Sequence, residues 1–157
     1  MRILAPSFKA LAVALSGLVF GASISAALRT MRPSQPYLTI GSRWPISKIH
    51  GRSIVIFVSP KCRYSRENSD LHSVIVGAAL QRGIPVYLVV KGADEKEEYQ
   101  QSEQFRGATI ILASRLHLRS RGTPTVVSIN DGIVDHLWVG AVPPDRYETL
   151  LASLRYQ

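Results

Sequence analysis

The sequence predicts an α/β domain with a mixed central sheet and helices on both faces, and three observations support the α/β class. Residues 54–58 form a continuous run of β-branched and aromatic residues, which predicts a strand over residues 53–58 that is buried on both faces. A helical pattern and a second apolar run at residues 85–90 follow, and this order indicates a βαβ unit with two parallel strands. Asn130-Asp131-Gly132 then separates two further apolar runs, which predicts an antiparallel hairpin.

Composition limits the chain to one ordinary domain with an additional segment. It has 157 residues, of which 46% are hydrophobic and 19% are charged. The formal net charge is +8, but the basic residues are scattered and form no arm, so we expect no nucleic-acid partner. The single cysteine excludes an internal disulfide and a cysteine-based zinc cluster. Since the histidines lack ligand spacing as well, we expect no metal and no cofactor.

The amino-terminal stretch indicates export. Residues 10–28 carry no charge, and their length of 19 residues just reaches that of a bilayer-spanning helix. The small residues Ser25, Ala26 and Ala27 also offer a cleavage site. Residues 1–29 are therefore predicted to be a signal anchor or a cleaved signal peptide.

The domain boundaries follow from this interpretation. Residues 30–39 contain two prolines and are assigned to a tether, and residues 40–157 are assigned to the folded domain. We expect a domain that lies outside the cytoplasm, in the periplasm, and is held at the membrane through residues 10–28. The alternative is secretion after signal cleavage.

The helices are predicted from apolar periodicity. The helix after residue 62 ends at Gly83, and its buried face is expected to comprise Leu71, Val74, Ile75, Ala78 and Ala79. A polar helix over residues 94–105 is expected to expose its charges and to anchor through Tyr99 and Phe105. A last helix opens at residues 143–145, with apolar positions at Tyr147, Leu150, Leu151 and Leu154.

Three further segments are interpreted from composition. Residues 108–113 are assigned to a short strand, with the start of a helical segment as the alternative. The hairpin strands are expected at residues 125–129 and 133–139. Before the first strand, Tyr37, Leu38, Ile40 and Trp44 are expected to pack against the domain.

The chemistry centres on Cys62, which lies where the first strand gives way to the first helix. The positive end of the helix dipole favours the thiolate there. Lys61, Arg63 and Arg66 are the predicted thiolate-stabilising cations, and the Ser65 hydroxyl is predicted to donate to the sulfur. The catalytic candidates are therefore Cys62 and Ser65. The alternative is a packed, inert cysteine.

This arrangement resembles the thioredoxin fold and, more narrowly, the membrane-anchored TlpA-like branch of the thiol-disulfide oxidoreductases. The resemblance covers residues 40–155, and the matching motifs are Gly41, Pro45, Gly51-Arg52, Gly122-Thr123-Pro124-Thr125 and Val139-Gly140. It implies that Pro124 is a cis proline beside the active cysteine and that its neighbours bind a substrate peptide. The candidate substrate-binding residues are Thr123, Pro124, Pro60 and Tyr64.

Two departures from the family pattern limit the chemistry. The family's C-x-x-C motif is replaced by Cys62-Arg63-Tyr64-Ser65, and a serine hydroxyl cannot resolve a mixed disulfide. The acid that many thioredoxins bury on the first strand corresponds to Ile56 here. The sequence therefore predicts monothiol disulfide exchange with a protein or a low-molecular-weight thiol or disulfide. The alternative is a non-catalytic binding or assembly module that uses the groove around Pro124.

Overall fold

The computed structural model describes residues 37–45, 51–116 and 120–153. These residues all fall in the second of the chain's two compact units, Gln35–Gln157. The predicted signal segment (1–29), most of the predicted tether (30–39) and Leu154 lie outside the described residues. Among the residues that are described, no helix has the length and apolar character needed to cross a bilayer.

A five-stranded mixed sheet forms the centre of the domain. Its strands are β1 (Arg52–Phe57), β2 (Val86–Val90), β3 (Thr109–Leu112), β4 (Thr125–Asn130) and β5 (Ile133–Val139), in the spatial order β3-β2-β1-β4-β5. β1 pairs with β2 and β2 with β3 in parallel, whereas β4 runs antiparallel to both β1 and β5. The predicted parallel pair, the hairpin and the strand assignment for residues 108–113 are confirmed.

The hairpin turn has the geometry that its sequence predicts. Asp131 and Gly132 both have positive φ, at 47° and 76°. Glycine and aspartate tolerate this backbone region, and two positive φ values are what a tight turn between twisted antiparallel strands needs. The carboxylate of Asp131 also accepts a hydrogen bond from the Gly51 N–H at 2.9 Å, which ties the turn to the start of β1.

The helices are α1 (Arg63–Glu67), α2 (Ser69–Leu80), α3 (Ala93–Gln101) and α4 (Tyr147–Ser153). One predicted helix after Cys62 is thus two helices that meet at Asn68, whose backbone is not helical (φ −101°, ψ 12°). The helix predicted over residues 94–105 ends at Gln101 because Ser102 is extended, and Glu103–Phe105 forms a separate 3-10 turn.

The buried face of α2 differs from the prediction at two positions. Leu71, Ile75 and Ala79 are buried as expected, but Val74 is 51% exposed and Ala78 is half-buried. His72 and Val76 are buried instead. Apolar residues surround most of this helix, so periodicity alone does not select between two neighbouring faces. Packing against the sheet determines which of the two helix faces is buried.

Two apolar clusters cover the two faces of the sheet. The first contains Ile54, Ile56 and Val58 from the β1 segment, and α2, α3 and α4 contribute to it, among others through Ile75, Tyr99 and Leu151. Phe105 also belongs to this cluster, so Tyr99 and Phe105 are confirmed as anchors. The alternation of Ile54 and Ile56 with Val55 and Phe57 confirms that β1 is buried on both faces.

The second face is covered differently from the prediction, which placed helices on both faces. Within the described part of the chain, its cover consists of residues 37–45 and of Leu116, which follows the 3-10 turn Ala113–Arg115. Leu38 and Trp44 are buried as expected, whereas Tyr37 and Ile40 are exposed. An extended segment suffices here because two large apolar side chains fill the space that a helix face would occupy.

Candidate functional site

The sheet brings the Cys62 loop and the Pro124 loop together. Phe57, at the end of β1, pairs with Thr125, at the start of β4, so the segments that follow and precede these residues lie side by side. Cys62 is the N-cap residue of α1, with an extended backbone. The Thr123–Pro124 peptide bond is cis, as the family resemblance implied.

Cys62 contacts the Pro124 loop directly and remains accessible. Its side chain is half-buried, and it is a free thiol. The thiol donates a hydrogen bond to the carbonyl oxygen of Thr123, with Sγ and O 3.1 Å apart. The sulfur is therefore neither packed away in the core nor separated from the loop expected to bind a substrate.

The surroundings lower the pKa of the Cys62 thiol. The largest cause is a hydrogen bond with the side chain of Thr123, and burial opposes it. The backbone and hydroxyl of Ser65 and the backbone of Tyr64 lower the pKa further. Although the Thr123 carbonyl favours the protonated thiol, the groups that donate to the thiolate outweigh it. The pKa of Cys62 is thus shifted in the predicted direction. The cause is hydrogen bonding at the start of α1 and at Thr123.

Ser65 lies in a buried polar network behind the cysteine. Its oxygen accepts a hydrogen bond from the Ser59 N–H at 3.3 Å, which leaves the hydroxyl proton available for the sulfur. The Ser59 hydroxyl donates to Glu95 at 2.8 Å, and the second carboxylate oxygen of Glu95 accepts from the Lys91 N–H at 2.8 Å. Glu95, only 4% exposed, thereby holds the loop after β1 against the loop after β2.

The three predicted cations each have another partner. Lys61 pairs with Asp94 at 2.7 Å, Arg63 pairs with Glu67 at 2.6 Å, and Arg66 donates to the Pro60 carbonyl at 2.8 Å. The Lys61–Asp94 pair is exposed, and the hydrogen bond with Asp94 raises the pKa of Lys61. These cations are close to Cys62 in sequence, but none of them is among the groups that lower its pKa most.

The four candidate substrate-binding residues surround the thiol with different exposures. Tyr64 is 55% exposed, whereas Pro60 and Thr123 are half-buried. Pro124 is buried, and its carbonyl accepts a hydrogen bond from the Gly140 N–H at 2.8 Å. Tyr64, Pro60 and Thr123 therefore have accessible surface close to the cysteine, whereas Pro124 does not.

Two polar residues of this region escaped the sequence analysis. Glu95 was expected on an exposed charged face, but it is buried and satisfied. Asn68, also buried, donates to the Tyr64 carbonyl and accepts from the Val142 N–H. One signal pointed to Glu95, since it closely follows β2, and the carboxyl ends of adjacent parallel strands meet at one edge of the sheet. No local pattern marked Asn68.

Comparison with solved structures identifies the architecture. A putative thiol:disulfide interchange protein DsbE from Chlorobium tepidum superposes with a TM-score of 0.60 at 19% identity, over 75% of this chain and 96% of that one. The chain has a thioredoxin-like fold. The thioredoxin-like topology explains why Cys62 and the cis proline meet, although at this identity the likeness establishes the fold alone.

Other structures show the same fold. The thio-disulfide isomerase from Thermus thermophilus matches with a TM-score of 0.53 and 17% identity, over 80% of this chain and 96% of that chain. The exposed lipoprotein thioredoxin Etrx1 from Streptococcus pneumoniae matches with a TM-score of 0.50 and 16% identity, over 67% and 84%. No family model matches the sequence, and neither does any curated protein.

Proposed function

We propose that this protein is an exported thioredoxin-fold protein that exchanges disulfides through Cys62 alone. One observation carries the proposal: the half-exposed thiol has a lowered pKa and contacts Thr123 beside the cis proline. A lowered pKa raises the thiolate fraction near neutral pH, and the thiolate is the nucleophile in disulfide exchange. An inert cysteine would be expected among apolar groups, with a raised pKa.

The reaction is a two-step exchange. The Cys62 thiolate attacks one sulfur of a substrate disulfide, forms a mixed disulfide with that half, and releases the other half as a thiolate that takes a proton from water. A second thiol, from a small molecule or a protein, then attacks the mixed disulfide. It forms a new disulfide with the bound half and restores the Cys62 thiolate, so no net redox change occurs in the protein.

Ser65 limits the protein to this monothiol cycle. It occupies the position of the family's resolving cysteine, and it has no sulfur with which to attack the mixed disulfide. We assign it to orient and stabilise the thiolate, which agrees with its contribution to the lowered pKa of Cys62. The mixed disulfide is therefore long-lived until an external thiol arrives.

The proposed location rests on the amino-terminal sequence. The uncharged residues 10–28 suit a membrane anchor, and residues 1–29 suit a cleaved signal as the alternative. One of the similar structures is described as an exposed lipoprotein. We propose that the thioredoxin-like domain lies on the outer side of the cytoplasmic membrane.

The decisive experiment is to trap the mixed disulfide. The protein is treated with the neutral reagent 2,2′-dithiodipyridine over a range of pH, and the release of the pyridine thione is followed together with the mass of the adduct. We expect one adduct, on Cys62, that persists until a thiol is added; Cys62→Ser is the control that forms none. A thiol that does not react would overturn the redox proposal and favour a binding module with a groove at Pro124.

The variant Ser65→Cys tests the assigned role of Ser65. We expect the introduced thiol to displace the bound group within the protein, so that the adduct decays without added thiol and an internal disulfide forms. The matched variant Ser65→Ala should keep a persistent adduct. A persistent adduct in Ser65→Cys would contradict the proposed geometry, because the two side chains would then not meet.

A further inference from the structure

A cavity of about 260 Å³ lies beside the catalytic loop, at the carboxyl ends of β1 and β2. Its apolar floor consists of Phe57, Val58, Val89 and Val90, and Thr123 forms part of its wall. Thr123 is also the residue whose carbonyl accepts the Cys62 hydrogen bond at 3.1 Å. Thr123 therefore both lines the cavity and contacts the Cys62 thiol. In parallel α/β sheets, this edge is where ligands bind.

The charged residues in the described lining of this cavity are basic. Lys91 and Arg121 are exposed at its border, and no acidic residue is found among the described residues that line it. Among the described residues, neither cation forms an ion pair with a carboxylate. The two acidic residues that follow Lys91 are already satisfied, since Asp94 pairs with Lys61, and Glu95 accepts from Ser59 and from the Lys91 backbone.

The size of the cavity limits what it can hold. Pockets that enclose a whole drug-sized ligand measure about 300–1,000 Å³, so this cavity takes one arm of a ligand rather than a folded peptide. A larger cavity of about 540 Å³ lies between α3 and β3, but none of the candidate site residues lines it. The smaller cavity is the one adjacent to the chemistry.

We propose that this cavity binds the carboxylate-bearing arm of a low-molecular-weight disulfide, so that Cys62 reacts preferentially with anionic small thiols and disulfides of the glutathione type. The proposal rests on the monothiol function of Cys62. Lys91 and Arg121 supply the charge complement, and the apolar floor accommodates the aliphatic part of the arm. Electrostatic attraction of this kind acts on substrate choice and association more than on the exchange step.

The test measures the rate of mixed-disulfide formation with three probes on the full-length protein. The probes are glutathione disulfide, which is anionic, hydroxyethyl disulfide, which is neutral, and cystamine, which is cationic. The readout is the ratio of the glutathione disulfide rate to the hydroxyethyl disulfide rate. We expect this ratio to fall about fivefold in Lys91→Gln and in Arg121→Gln, the size of one partly exposed ion pair. Added salt should lower the wild-type ratio too.

A matched variant separates this local effect from the net charge of +8. Arg82→Gln removes the same charge at the opposite end of the sheet, just before β2, and it should keep the wild-type ratio. Equal effects of Arg82→Gln and Arg121→Gln would overturn the proposal, and so would a wild-type preference for cystamine. Reaction with all probes at similar rates would overturn it while leaving the monothiol function intact. Failure of every probe would overturn both.

A second comparison tests whether the bound carboxylate comes from a small molecule or from a peptide substrate. A disulfide-linked peptide with aspartates beside its cysteine is compared with the same peptide carrying asparagines. We expect Lys91→Gln and Arg121→Gln to change the rate ratio of these peptides less than the ratio for glutathione disulfide. If Lys91→Gln and Arg121→Gln slowed the reaction of the acidic peptide but not that of glutathione disulfide, the assignment of a small-molecule ligand would be overturned.

Discussion

At the scale of single residues, the lowered pKa of Cys62 depends mainly on hydrogen bonds from its neighbours. The basic residues beside it in sequence are engaged with Asp94, Glu67 and the Pro60 carbonyl. An exposed ion pair at the surface is screened by water and salt, whereas a hydrogen bond to the sulfur acts at contact distance. Hydrogen bonding with the Thr123 side chain is therefore the largest of the causes that lower the pKa of Cys62.

We predict that Thr123→Val raises the pKa of Cys62. Valine keeps the shape and the backbone carbonyl but removes the hydroxyl, so the largest cause of the lowered pKa is lost while the thiol keeps its acceptor. The pH dependence of iodoacetamide alkylation measures this pKa. The variant Thr109→Val, on the exposed part of β3, is the control and should leave the alkylation profile unchanged. A profile for Thr123→Val that overlays the wild type would contradict the assignment.

We predict that His72 makes the stability of the domain depend on pH. It is buried, and burial lowers its pKa from 6.5 to about 4. Because the unfolded state takes up the proton first, the folded state loses stability as the pH falls from 6.5 towards 4, by up to about 3 kcal/mol. In His72→Leu this contribution to the pH dependence disappears. Urea unfolding at pH 7.5 and pH 4.5 measures the difference.

Leu71→Ala is the control for the histidine experiment. Leu71 is buried beside His72 on α2 but does not titrate, so its substitution should lower the free energy of unfolding by a similar amount at both pH values. If His72→Leu kept the full wild-type loss of stability at pH 4.5, the buried neutral histidine would not be its source.

At the scale of elements, the extended segment at residues 37–45 belongs to the domain core. Trp44 packs edge to face against Phe57, with ring centroids 6.4 Å apart. The Gly41 N–H donates to the Val134 carbonyl at 2.7 Å, so this segment is also bonded to β5. It covers the sheet face that the described α-helices leave open.

We predict that Leu38→Ala destabilises the domain by about 2–5 kcal/mol, the range for a leucine truncated in a packed core. Leu38 is 2% exposed and lies in the second apolar cluster. Ile40→Ala, two residues along and 64% exposed, should change stability by no more than about 0.5 kcal/mol. Chemical denaturation of both variants tests this contrast. Similar values for the two would mean that the segment is not part of the core.

At the scale of the whole molecule, we predict that the amino-terminal sequence controls membrane association and that the domain controls the alkylation of Cys62. The full-length chain is expected in the membrane fraction, whereas a chain that begins at residue 35 should fractionate as soluble protein with the same alkylation profile at Cys62. Residues 10–28 supply the apolar length for this behaviour. Cell fractionation with amino-terminal sequencing separates a retained anchor from a cleaved signal. A soluble cytoplasmic pool of the full-length chain would contradict both.

The sequence by itself determined the order of strands and helices, the parallel β1–β2 pair, the hairpin and the position of Cys62 at a strand-to-helix junction. These features follow from periodicity and turn chemistry within short windows of the chain. It also placed Ser65 where a second sulfur would be needed, which is the basis of the monothiol chemistry that we propose.

Only the tertiary structure decided which groups lie around Cys62 and which charged residues line the cavity beside it. The bond from Cys62 to Thr123 spans 61 residues, and the bond from Ser59 to Glu95 spans 36. Likewise, Lys91 and Arg121 meet at one cavity only because β2 and the segment before β4 end at the same edge of the sheet. Such contacts depend on strand order and register, which combine information from the whole chain. A charge or hydroxyl in a local window does not reveal the partner that folding brings to it.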